Sequence, residues 1–307
     1  MRRIAALFLM MLIVGQKPVF SEESVQDWSK KVIELQDKEG QNFEQDLTLV
    51  KGLLILQRRT EALTLINKTL KTFNRKDSRL TELFETALDQ FFFQDTAELH
   101  AEAIQYIRAE NWNEAKDKLD TALQKEPGHR MTTMRSIQVA LALGNNSKAA
   151  DLIKTADQFF PESVPLKVYK AWFYIQSKNA KEAIRIISAL WISDRKLFEK
   201  NEAVMLAFLK AMDLNKYQLD WVNVSKIIQK KPEWACARLL KAKNKLMTTV
   251  EYKKELLAIK AVIEASANSK LRSKEIKEKS DQYLGLIPLD SCKKELEESI
   301  AKINETK

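Results

Sequence analysis

Three stretches of the chain carry the same ladder of small and aliphatic residues. Ala115, Leu119 and Ala122 share one helical face, as do Ala149, Ile153 and Ala156, and again Ala183, Ile187 and Leu190. Returns at the fourth and seventh positions are what a helix with one apolar side requires. Ahead of the first and third ladders lie Ala103 with Tyr106 and Ala171 with Tyr174, which predict a partner helix. Pro127 and Pro161 follow the first two ladders, and proline ends a helix because it lacks the amide hydrogen and clashes with the preceding turn. The pattern predicts helices in pairs, joined by short loops. With only 6 Gly and 6 Pro in 307 residues, turn residues are too scarce for a sandwich or barrel of short strands.

The ladders are evenly spaced. Asn111-Trp112-Asn113-Glu114-Ala115 returns as Asn145-Asn146-Ser147-Lys148-Ala149 and as Asn179-Ala180-Lys181-Glu182-Ala183, with 34 residues between successive alanines and between Pro127 and Pro161. From about Thr96 to Trp191 the chain resembles the tetratricopeptide-repeat (TPR) family, whose 34-residue unit is a helix–turn–helix. The resemblance implies an all-α fold, a right-handed TPR superhelix or α-solenoid, with non-repeat helices at both ends. A fourth copy fits Asn201 to Pro232 with three residues inserted, but Phe208 and Asp220 stand where small residues are expected and Arg195 replaces the proline that should close the third copy. A weak copy lies at Asp46 to Asn74, with Ala62, Ile66 and Leu70 on one face, and Leu80 to Phe93 reads as an inserted helix. Beyond Pro232, segments 233–248, 251–265 and 269–284 read as capping helices, and Pro288 precedes a last helix with Asp290 or Ser291 as N-cap. The expected division is a leader at 1–21, an N-terminal helical region at 22–95, the array at 96–232 and the cap at 233–307.

In the family, the first helix of each repeat lines a concave surface that holds a partner peptide or helix. Carried over, this implies Met131, Met134, Gln138 and Leu141 from the second repeat and Val168, Trp172, Ile175 and Gln176 from the third. Met205, Leu209 and Met212 follow from the fourth. Such a lining suits an amphipathic helix, because methionine is flexible and polarizable. It lacks the Lys, Arg and Asn of the family's clamp for acidic C-terminal peptides; His100 and Arg108 of the first repeat are the nearest approach. Met, Leu and Trp at helical spacing equally suit a core, so the alternative is that the protein's own C-terminal helices fill the groove.

The first residues read differently. Met1-Arg2-Arg3, the apolar run Ile4 to Val14 and Val19-Phe20-Ser21 form the three regions of a secretory signal peptide. The run is about half the roughly 20 residues a membrane-spanning helix needs, so the mature chain is expected in the periplasm or secreted, without an integral span. Removing Arg2, Arg3 and Lys17 lowers the formal charge from +9 to +6. Acidic residues are interspersed with basic ones and the basic stretches lack interleaved aromatics, which argues against nucleic acid. Cys236 and Cys292 either pair in an oxidising compartment or stay small buried thiols.

His100 and His129 are the only histidines, and neither has a nucleophile motif, metal-ligand spacing or phosphate-cradling glycine loop beside it. The expectation is no enzyme, no catalytic residue, no metal and no cofactor. The leading functional reading is a protein-binding adaptor or scaffold of the bacterial envelope. The alternative is a peptidoglycan-associated or envelope-remodelling factor that carries or regulates cell-wall chemistry.

Overall fold

Helices account for all the regular structure among the described residues. The computed structural model describes residues 25–37, 42–73, 77–216, 220–244, 248–268, 283, 285–287 and 289–305, with sixteen helices and no strand among them. The expected signal peptide lies outside the described residues, as does most of the expected capping helix 269–284. None of the described helices is long and apolar enough to cross a membrane. The chain divides into two compact units after Gln90, rather than after residue 95.

The first unit contains α1 (Val25–Gln36), α2 (Phe43–Ile55), α3 (Arg59–Phe73) and α4 (Ser78–Asp89). Asn42 caps α2 through a reciprocal pair with Gln45, which satisfies amides that the helix itself leaves unbonded. The α2–α3 hairpin covers the stretch where a weak copy was expected. Its buried face is Ala62, Leu63, Ile66 and Thr69, whereas Leu70, expected on that face, is 37% exposed. The α4 helix falls where an inserted helix was expected, and its end is held by the buried Arg59 guanidinium, which donates to the carbonyls of Ala87 at 2.7 Å and Leu88 at 3.3 Å.

In the second unit, α5 (Gln94–Arg108) pairs with α6 (Trp112–Lys125), α7 (Arg130–Ala142) with α8 (Asn146–Phe159), and α9 (Val164–Gln176) with α10 (Ala180–Ser193). The three pairs turn alike. Glu110, Gly144 and Lys178 adopt φ of 60°, 68° and 58°, and in each turn the following asparagine amide bonds back to Tyr106, Ala140 or Tyr174. Left-handed backbone suits glycine, while other L-residues are disfavoured there by roughly 1–2 kcal/mol, so packing on both sides must hold Glu110 and Lys178 in place. Asn145 and Asn179 then cap the next helix through the amides of Lys148 and Glu182. Ala115, Ala149 and Ala183 are fully buried, since only a methyl group fits where the paired helices approach.

After α10 the rhythm breaks. A short helix, α11 (Arg195–Lys200), precedes α12 (Glu202–Asn215), followed by α13 (Trp221–Gln229), α14 (Ala235–Asn244), α15 (Thr249–Asn268) and α16 (Leu289–Glu305). Phe208 stacks on Trp191 at 5.0 Å and meets Phe198 of α11 edge-on at 5.5 Å. The bulky residue is thus accommodated by the inserted helix. Asp220 binds instead of packing: its carboxylate accepts from Trp191 Nε1 at 3.1 Å, Arg195 Nη2 at 3.0 Å and Asn223 Nδ2 at 2.6 Å. Arg195, in the place of the proline, also lies 4.6 Å from the Trp191 ring. A disulfide joins Cys236 to Cys292 across 56 residues, a closure that the chain-entropy account values at about 4 kcal/mol.

Candidate functional site

The face made by the first helices of the repeats can be followed residue by residue. On α7, Met131 is exposed, whereas Met134, Gln138 and Leu141 are buried. On α9, Val168 and Trp172 are buried and Ile175 and Gln176 half-buried. Met205, Leu209 and Met212 of α12 are all buried. The continuous open groove is therefore not what the chain presents. The physical reason is tertiary: α12 packs against α9, α10 and α14, and Tyr283 lies against Tyr169 of α9. Trp172, the expected anchor for a partner, is 2% exposed and donates through Nε1 to Ala203 O at 3.2 Å.

The later segment that carries Tyr283 is specific in its contacts. The Tyr283 ring meets the Tyr169 ring of α9 at 5.9 Å, and both tyrosines are buried. Burial raises the pKa of each, because the anionic form is denied water. Two residues on, Gly285 (φ 76°) comes so close to Trp112 and Ala142 that a Cβ would lie 2.5 Å from the indole. Leu286 is buried beside it in sequence. Residues of the chain's own C-terminal part therefore meet α9 at Tyr169, the start of α6 at Trp112 and the end of α7 at Ala142.

At the far end of the face a cleft of about 430 Å³ remains between α9, α12, α14 and α16. Ile175, Leu206, Leu239 and Leu240 wall it, and both disulfide cysteines line it. Gln176 Nε2 donates to Leu141 O at 3.0 Å, while its Oε1 is buried without a partner. Lys210 Nζ sits 5.8 Å from the Trp172 ring centroid. Burial lowers the pKa of this amine, against the opposing pull of Glu295 and Asp213.

The two histidines are brought together, although 29 residues separate them. Thr132 Oγ1 lies 2.8 Å from His129 Nδ1 and 3.1 Å from His100 Nδ1, and Phe91 covers the His129 ring at 3.9 Å. Burial, then the nearby Arg135, lowers the His100 pKa to about 4. His129 and Thr132 are fully buried and His129 caps α7, so the cluster joins the first two repeats. Beside it, the buried Glu126 carboxylate accepts from the amides of Phe92 and Phe93 at 2.8–3.0 Å, which holds the chain just before α5. Among the described residues there is no group of three or more His, Cys, Asp or Glu side chains arranged to hold a metal.

The tetratricopeptide repeat family model matches residues 140–199, from the end of α7 through α11. That stretch of the chain carries the tetratricopeptide repeat pattern. A crystal structure of a tetratricopeptide repeat protein from Parabacteroides merdae is similar to it at 14% identity and a TM-score of 0.42, covering 84% of this chain and 99% of that one. No curated protein matches the chain. Repeats of this kind generally mediate protein–protein interaction. The sequence did not point to Tyr283, Gly285, Lys210 or Glu126 as parts of the face or its surroundings. Their partners lie far off along the chain, and no periodicity reports that.

Proposed function

We propose that the protein is an exported, non-catalytic scaffold of the bacterial envelope that binds a helix or peptide of a partner protein on the α7–α9 face. The observation that carries this reading is the chain's own segment: Tyr283 is buried against Tyr169 of α9, so this side of the repeats accepts a side chain from another stretch of protein. A partner binds by displacing that segment, so affinity is reduced by the fraction of time the segment is seated. Export follows from the leader pattern at 1–21.

In-cell crosslinking from photoreactive residues tests the face. Positions Met131 and Ala142, at the two ends of α7, are expected to capture the same partner. Ile192 and Val222, 81% and 65% exposed on second helices, are expected to miss it. Tyr283→Ala, which loosens the seated segment, should raise capture severalfold. Equal capture from all four positions, or none from α7, overturns the binding face. Intact mass of the protein from the periplasmic fraction should begin near Glu22, and a full-length cytoplasmic product overturns export.

A further inference from the structure

We infer that the cleft between α9, α12, α14 and α16 is a binding site for a small apolar carboxylic acid, held by Lys210 through its carboxylate. Its volume of about 430 Å³ falls within the roughly 300–1,000 Å³ of small-molecule sites, which are mostly apolar with a few placed polar groups. The walls are mixed: Ile175 and Leu240, with the nearly enclosed Leu206 and Leu239, supply aliphatic surface beside a comparable share of charged side chains, and the Cys236–Cys292 disulfide ties α14 to α16 so that the cleft keeps its form.

The charges around it are unevenly matched. Lys243 is paired with Glu295 at 2.7 Å, while Lys178 and Asp213 stand at the exposed rim. Lys210, half-buried, makes no ion pair within 4 Å among the described residues; its recorded contact is the Trp172 ring. A cation withdrawn from water without a counter-ion is disfavoured, and the lowered pKa of this amine reports that desolvation. A carboxylate in the cleft removes the penalty by forming a charge-assisted bond.

Titration calorimetry on the full mature chain with decanoate and decan-1-ol tests the site. Decanoate should bind at least about tenfold more tightly than the alcohol, a ratio of the size expected of one charge-assisted bond. Lys210→Met should make decanoate and decanol equal without changing the melting temperature by more than a few degrees. Lys243→Met, which removes the cation already paired, should keep the preference. Equal binding of acid and alcohol by the parent chain, no binding of either, or loss of the preference in Lys243→Met but not Lys210→Met would each overturn the assignment.

Discussion

From Gln94 to Ser193 the second unit makes the same hairpin three times, whereas among the described residues from Arg195 to Glu305 that hairpin does not recur. The first region rests on rules that each repeat obeys alone: a fully buried alanine at the helix contact, a left-handed turn residue and an asparagine after it. In the second region, distant side chains fill the gaps. Asp220 collects Trp191, Arg195 and Asn223; Glu202 reaches the start of α14; and Cys292 bonds back to Cys236. A repeat array buries its apolar faces by stacking like units, and its end must be closed by something unlike them. The cap thus adds to its buried apolar residues a set of individual polar and covalent contacts, each of which can be removed singly.

The largest expected effect belongs to the array. Ala149→Trp and Ala183→Trp force a large ring into contacts where the alanines are fully buried, and each should cost more than about 3 kcal/mol. Thermal unfolding should then occur on the order of 10 °C lower. Unchanged melting of both variants would break the claim that tight small-residue contacts hold this region.

Glu202→Gln probes the cap with an effect on the order of 2 kcal/mol, and its sign depends on pH. Burial pushes the Glu202 carboxyl from its ordinary 4.5 up to about 7, although the amides of Ala237 and Cys236 pull it down. The folded chain thus keeps a proton that the unfolded chain releases. The stability associated with this group is complete below pH 4.5 and is lost as pH rises through 7. His100 slopes the other way, because its folded pKa is lowered from 6.5 to about 4 and its contribution is lost as pH falls through that window. Urea unfolding of variant against parent at matched pH isolates Glu202: the Glu202→Gln chain should be the more stable of the two at about pH 8, and its advantage should vanish near pH 4.5. An advantage independent of pH would remove the buried carboxyl from the account.

The smallest effect, about 1–2 kcal/mol, is expected for Asp220→Ala, which takes an acceptor from three donors and leaves alanine at φ 51°. A melting temperature a few degrees lower sharpens the contrast with the array. No change would mean that Asp220 is a tolerated departure from the repeat pattern rather than an anchor.

The helical class and the 34-residue register were legible along the chain, since the features that carry them involve neighbours within one or two turns: Ala115 with Leu119, Asn145 with Lys148, Pro161 after Phe160. The sequence also carried both candidate readings of Trp172 without choosing between them, because an apolar residue at helical spacing serves a core or a groove equally well. Only the tertiary structure decided that Trp172, Met205 and Leu209 are enclosed, that Tyr283 rests on Tyr169, and that Cys236 meets Cys292. It likewise decided that Lys210 lies beside the Trp172 ring in a walled cleft. These outcomes depend on which distant segments come to lie against the array after α11 interrupts it. Helical periodicity, whose range is a few turns, holds no information about that choice.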